Sequence, residues 1–331
     1  MLAQQHLHFG MPYPFELLMR RRSQIALGLA FAVAITLGAI AQSSAAERTI
    51  RDGAGREVTV GDAKRIVSIG GAVTEIIYAL GAGDRVIARD STSFYPAEVT
   101  QKPDVGYMRA LSAEGVLSVK PDLIIAVDGA GPKEAIELLE AAAVPMVVVP
   151  EHYSAAGIVE KVTLVADVLG EQEKGKALAT RIESQFATLD AALAKIPADQ
   201  RKKAVFLMSL ASDKPLAAGS GTAGNAIIGL AGAINPMAGI PGYKPASDEA
   251  LAAAQPASII MMNRPGADAP DADKIFAVPA LAATPAAASK ALIVMDGLYL
   301  LGFGPRTADA ARDLAHQIYP SLTLPESSAA K

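Results

Sequence analysis

"LSAEGVLSVKPDLIIAV", residues 111–127, can be laid on "ASDEALAAAQPASIIMM", residues 246–262. Glu114 precedes Pro121 by seven residues, and Glu249 precedes Pro256 by seven; each proline precedes an Ile-Ile pair by three. In both copies a short helical run stops at a proline and gives way to an apolar run suited to a strand buried on both faces. Upstream, a strand and a glycine-rich loop lead to "EIIYALGAG" in one half and to "AIIGLAGAIN" in the other. One fold unit therefore occurs twice.

The rest of each half supports that reading. "TIRDGAGREVTV" reads as a small hairpin. "RIVSIG", "RVIARD", "DLIIAV" and "PMVVVP" read as strands. They alternate with helices at "GAVTEIIYALGAG", at "LSAEGVLSVKP" with Ser112 as its cap, and at "PKEAIELLEAAAV". Such alternation gives a mainly parallel sheet covered on both faces. No strand signal occurs between Ser154 and Ile196. Residues 171–196 read as one helix ended by Pro197, roughly 39 Å long at 1.5 Å per residue. After it the alternation resumes through "KAVFLMSL", "NAIIGLAGA", "SDEALAAAQP", "SIIMMN" and "ALIVMD". The expected architecture is α/β, two similar lobes with central mainly parallel sheets bridged by one long α-helix. Its divisions are residues 47–168, 169–196 and 197–325, with a ligand cleft between the lobes at the strand ends.

Residues 1–46 read as a targeting segment. "MRRRSQ" gives a positive start at Met19, a 17-residue apolar run follows, and "SSAAE" supplies small residues for cleavage after Ala46. Cleavage is preferred to a membrane anchor because the small residues follow the run directly. Residues 1–18 read as an upstream start-site artefact. Three arginines also raise a twin-arginine signal, whose flanking pattern is poor. The chain has no cysteine, hence no disulfide framework and no lipid-bearing thiol. A net charge of −4 gives no nucleic-acid footprint. The expected product is an exported monomer in a bacterial periplasm, without a membrane span.

Enzyme signals are sparse, and no catalytic residue is assigned. "GSGTAG", residues 219–224, matches a dinucleotide fingerprint, but no acidic strand end follows at the required distance; it reads as a turn before a helix. Outside the targeting segment only His152 and His316 remain, too few for a zinc centre. "DSTSFYPAEV", residues 90–99, is the odd loop: Phe94 and Tyr95 stand side by side in a chain with 5% aromatics.

"RIVSIGGAVTEIIYALGAGDRVIARDSTSFYPAEV", "PDVGYMRALSAEGVLSVKPDLIIA", "GYKPASDEALAAAQP" and "MDGLYLLGFGPRT" resemble the periplasmic haem-binding proteins of bacterial haem-uptake ABC transporters, a family with the class III periplasmic binding protein fold. The likeness runs from about Arg65 to Tyr319. It implies haem, as ferric protoporphyrin IX, for the ligand and a permease dimer for the partner. A ferric siderophore or cobalamin on the same fold is the alternative.

The resemblance also implies site residues. Tyr95 stands where the family places the axial tyrosine of the haem iron, and a phenolate is a hard anionic donor suited to ferric iron. Without the resemblance, Tyr95 would read as loop packing. A tyrosinate needs a cationic neighbour. Arg264, expected on the opposite lobe, is the first candidate, against a plain solvated arginine; Arg109 and Arg89 are weaker. Ala97 stands where some relatives carry a basic residue. Phe94, Arg109 and Tyr243 complete the expected haem-binding set, and His152, beside Tyr153, could rim the cleft. Glu114 and Glu249 stand where the family meets arginines of its transporter; the plainer reading is compensation of helix N-terminal charge. Glu75 is a poorer docking candidate.

Overall fold

The computed structural model describes residues 47–209, 215–266 and 268–324. The expected targeting segment lies outside them. Among the described residues, no helix is long and apolar enough to cross a membrane.

The chain opens on an antiparallel hairpin, β1 (Arg48–Arg51) and β2 (Glu57–Val60). The first lobe follows as β3 (Ile66–Ile69), α1 (Gly71–Ala79), β4 (Val86–Arg89), α2 (Ala113–Ser118), β5 (Leu123–Val127), α3 (Lys133–Glu140) and β6 (Met146–Val149). Its sheet has the order β4-β3-β5-β6, parallel throughout. All five residues of β5 are buried, which is why that strand is apolar without alternation.

Two helices separate the sheets. α4 (Ala155–Leu169) ends at Gly170, whose left-handed backbone reverses the chain. α5 (Gln172–Leu193) then runs 22 residues, slightly shorter than the 171–196 expected. Its buried residues Leu178, Ile182, Phe186, Leu189 and Leu193 recur at helical spacing.

The second lobe is β7 (Ala204–Ser209), β8 (Leu216–Ala218), α6 (Ala223–Leu230), β9 (Tyr243–Pro245), α7 (Asp248–Ala254) and β10 (Ser258–Asn263). One-turn helices α8 (Ala272–Phe276), α9 (Pro279–Ala282) and α10 (Pro285–Ala288) lead to β11 (Leu292–Asp296), α11 (Gly297–Leu301) and α12 (Thr307–Ile318). The sheet order is β11-β10-β7-β8-β9. Strands β7, β10 and β11 are parallel, while β8 and β9 join antiparallel. Positions β3, β5 and β6 of the first sheet thus recur as β7, β10 and β11.

The sequence echo has a backbone counterpart. Ser112 Oγ accepts from the Gly115 amide at 3.2 Å, and Ser247 Oγ accepts from the Ala250 amide at 3.2 Å. Each helix is followed by a left-handed non-glycine residue directly before the proline, Lys120 at φ 52° and Gln255 at φ 45°. That conformation costs a residue with a Cβ roughly 1–2 kcal/mol.

One hydrophobic core runs through both lobes, taking in Ile69 and Ile124, Phe206 and Ile260, and Val162, Phe186 and Leu314 from α4, α5 and α12. A smaller core around Val205, Leu207, Ile259 and Leu281 fills the other side of the second sheet. The lobes also touch directly. A Cβ on Gly71 would stand 2.4 Å from Leu298 Cδ1 and 2.9 Å from the Thr92 carbonyl oxygen, so glycine eases the close approach of α11 to the start of α1.

Candidate functional site

A cleft of about 520 Å³ lies between the lobes. Its first wall carries Phe94, Tyr107, Met108 and Arg109, and its second carries Met208, Tyr243, Met262 and Arg264. Asp128, Glu151 and Tyr153 line it as well, as do Leu298 and Leu301. The lining is mainly apolar and aromatic with a few charged groups, as a pocket for a small organic ligand is built.

The "DSTSFYP" loop is pinned by one carboxylate. Asp90 is fully buried. Its Oδ1 accepts from the Gly70 amide at 2.9 Å and from Ser93 Oγ at 2.7 Å. Its Oδ2 accepts from the Thr92 amide and hydroxyl at 2.9 and 2.6 Å. A buried hydroxyl chain, Ser68–Thr74–Ser93, backs the loop with contacts of 2.7 Å. The polar residues before Phe94 and Tyr95 therefore fix the backbone from which the two rings project.

The two rings differ in placement. Phe94 lines the cleft. Tyr95 is not among its lining residues; it stands 43% exposed, with the guanidinium carbon of Arg306 3.5 Å from its ring centroid. Arg306 is 5.1 Å from the Tyr299 ring and so lies close to two aromatic faces. Glu75 holds it, with Arg306 Nε donating to Oε2 at 3.0 Å and Nη2 donating to Oε1 at 2.5 Å. The Glu75 side chain is 4% exposed. Burial pushes its carboxyl above the usual range, and Arg306 offsets that in part. Between α11 and Arg306 the chain turns at Phe303, a fully buried residue with φ 50° whose ring meets Tyr153 edge-on at 5.1 Å. Left-handed backbone at a bulky residue persists where packing imposes it.

Arg306 was missed from the sequence. The available signal was Glu75: a carboxylate inside "GAVTEIIYA", a helix otherwise apolar enough to be buried, requires a cationic partner. It is therefore a buried anchor and not a surface residue. Arg264 lines the cleft, where its Nη2 donates to Met208 Sδ at 3.3 Å. Arg109 also lines it and donates to the Tyr107 hydroxyl at 3.0 Å. Arg89 is committed elsewhere, in an ion pair with Asp104 at 2.9 Å. The exposed His152 ring pairs with Glu160 at 2.8 Å and is not among the lining residues.

Tyr243 closes one side. The Gly224 amide donates to its hydroxyl at 3.3 Å, at the start of α6. Burial raises the phenol, and the Gly224 amide pulls it partly back. The same loop explains "GSGTAG". Gly219 follows β8 directly, and a Cβ there would stand 1.7 Å from the Ile240 carbonyl oxygen. Thr222 caps α6 by accepting from the Asn225 amide at 3.1 Å. Gly219 and Gly224 serve close chain packing, and Gly221 supplies a left-handed turn at φ 72°.

Lys161, fully buried, donates to Glu151 Oε1 at 2.5 Å behind the cleft wall. Burial raises Glu151 and lowers Lys161, each opposed by the other's charge. Glu114 and Glu249 are exposed at equivalent positions of α2 and α7. Glu249 is held below the usual carboxylate range by its own backbone amide and by Ser247. Among the described residues, no cluster of three or more His, Cys, Asp or Glu side chains could hold a metal.

A lobed α/β frame with mainly parallel sheets, a long connecting helix and a cleft at the strand ends defines a ligand-binding protein of the class III periplasmic type. Residues 66–298 match the family described as periplasmic binding protein, and the chain belongs to that family.

Among solved structures it is similar to the periplasmic heme-binding protein BhuT in complex with two hemes. The identity is 37%, over 78% of this chain and 99% of that one, with a TM-score of 0.73. It is 27% identical to the uncharacterized ABC transporter substrate-binding lipoprotein YvrC of Bacillus subtilis, over 82% of this chain and 85% of that protein. A vitamin B12-binding protein of Vibrio campbellii is 27% identical over 47% of this chain, which spans about half of that protein's length (54%).

Proposed function

We propose that this chain binds haem outside the cytoplasm and delivers it to an ABC importer in the inner membrane. The observation that carries the reading is Tyr95: a half-exposed phenol beside an apolar cleft, with Arg306 anchored by Glu75 on its ring. The phenolate would ligate ferric iron, and the guanidinium would offset its charge. Phe94 and the cleft methionines would cover the porphyrin faces. Arg109 and Arg264 would meet the propionates, and Tyr243 would close the far wall. The likeness to BhuT, solved with two hemes, supports the ligand class.

The remaining parts fit delivery. Lobes at residues 47–168 and 197–325, joined through 169–196, would present Glu114 and Glu249 to the two halves of a permease dimer. Residues 1–46 would direct export and be removed, leaving a monomer. The family, one of binding proteins, supports a carrier role over catalysis.

The test is a hemin titration followed by visible spectroscopy. A shifted Soret band with high-spin charge-transfer bands of the tyrosinate type is expected. A second reading, cobalamin, rests on the vitamin B12-binding relative. Calorimetric titration with cyanocobalamin separates the two: heat with cyanocobalamin and none with hemin would replace haem by cobalamin.

A further inference from the structure

Arg306 lies in the turn between α11 and α12, with Tyr299 seven residues before it and Asp313 seven residues after it. The Tyr299 hydroxyl donates to Asp313 Oδ2 at 2.8 Å and so joins the two helices across that turn. The backbone end of Tyr299 is fixed as well, its amide donating to Asp296 Oδ1 at 2.8 Å at the cap of α11. Asp313 is held in its turn. Arg312 donates to its Oδ1 from Nε at 3.1 Å and from Nη2 at 2.5 Å, while Arg312 Nη1 donates to Asp309 Oδ1 at 2.9 Å. Burial and the Asp313 carboxylate push the Tyr299 phenol up, so it stays a neutral donor.

This braced ring stands beside the guanidinium that covers Tyr95. The Arg306 guanidinium carbon is 5.1 Å from the Tyr299 ring centroid and 3.5 Å from that of Tyr95. Glu75 fixes where the guanidinium sits, through Nε and Nη2. A fork of two parallel hydrogen bonds restrains tilting about its own axis less firmly than it restrains displacement. An aromatic ring within cation–π range opposes that tilt. A staple between α11 and α12 needs only the hydroxyl; it does not need the ring at Arg306. Tyr299 is not among the residues that line the cleft, so its route to a ligand runs through Arg306.

We propose that Tyr299, braced by Asp313, is a positioning residue that keeps Arg306 over the Tyr95 ring and so sets how tightly the iron site holds its ligand. The inference rests on the haem reading given above. Tyr299 neither ligates iron nor touches the porphyrin. It acts by limiting the orientations of the cation beside the ligating phenol.

Hemin titrations of Tyr299→Leu and Tyr299→Phe test it, each made in the parent protein and in Arg306→Gln. Tyr299→Leu should weaken hemin binding roughly three- to tenfold, the range a partly exposed cation–π contact spans. It should also shift the tyrosinate charge-transfer band. Tyr299→Phe keeps the ring and loses only the Asp313 bond, so it should recover most of the affinity and leave the band in place. In the Arg306→Gln background Tyr299→Leu should cost nothing further, because the residue through which it acts is gone. Thermal melts check that each variant is folded. Should Arg306→Gln fail to fold, Glu75→Gln combined with it removes the stranded carboxylate and gives the same background. An equal loss of affinity in both backgrounds would make Tyr299 a staple of the fold and overturn this inference alone, as would unchanged affinity and band position in Tyr299→Leu. Absence of hemin uptake by the parent protein overturns the haem reading and this inference with it.

Discussion

The guanidinium of Arg306 lies over the ring of Tyr95, 3.5 Å from carbon to ring centroid, while its Nε and Nη2 are taken by Glu75. Tyr95 and Glu75 belong to the first lobe, and Arg306 follows the last strand of the second. One side chain therefore joins the lobes and faces the phenol assigned to iron.

Tyr95→Phe removes the phenol oxygen and keeps the ring on Arg306. It should abolish the tyrosinate contribution of that site without lowering the melting temperature. Visible and magnetic circular dichroism spectra of the hemin-loaded variant, beside a thermal melt, check this. Retention of every charge-transfer band after Tyr95→Phe would remove this tyrosine from the iron.

Arg306→Ala strips the partner from a carboxylate that is 4% exposed. Breaking a buried pair in this way costs about 3–5 kcal/mol. The loss should depend on pH. The Glu75 carboxyl already sits above its usual range in the fold through burial, and removing Arg306 raises it further. A raised carboxyl means that the folded state holds the proton longer than the unfolded chain. Its stabilising contribution is complete below the unfolded value and is lost as the pH rises through the folded one. Urea melts should show a deficit in Arg306→Ala that is smallest in acid and grows toward neutrality. A deficit independent of pH would mean that Glu75 finds another partner.

Lys161→Met should destabilise by about 3–5 kcal/mol, because it leaves Glu151 buried without its cation. Combining it with Glu151→Gln should recover much of that loss. A double-mutant cycle from denaturant melts gives the coupling. Simple additivity of the two substitutions would show that the 2.5 Å contact contributes nothing in solution.

Reversal of Glu114 and Glu249 together, each to Lys, should depress haem-stimulated ATP hydrolysis by the reconstituted importer far more than either reversal alone. Exposed ion pairs are weak one at a time, about 0–1 kcal/mol, but pairs desolvated in an interface are not. Hemin binding by the isolated variant should be unchanged, since both residues lie outside the cleft lining. Loss of hemin binding would move them into the ligand site.

The strands and helices with strong periodicity were legible in the sequence: β3, β5, β6, β7, β10 and β11, the hairpin, and the two capped helices of the repeat. The three-residue strands β8 and β9 were not, because they are pairings selected by tertiary contact and too short to show alternation. The one-turn helices α8 to α10 escaped for the same reason of length. At the site, the Phe94-Tyr95 pair stood out by composition. Its cation did not, since Arg306 lies 211 residues away and is brought to the ring by the fold. Glu75 could have pointed to it: an acidic residue in a buried helix implies a cation without naming which one.

The single core that threads α4, α5 and α12 bears on how the molecule comes apart. Apolar side chains of α5 are shared between the halves, so a cut at Pro197 would expose one side of that core on each fragment. Neither fragment should then persist alone, although each holds a complete sheet. Denaturation of the intact chain should follow one sigmoid by every probe, with equal calorimetric and van't Hoff enthalpies. Two copies of a fold unit have in this way become one cooperative body, and mixing the separately made fragments should restore the fold only when both are present.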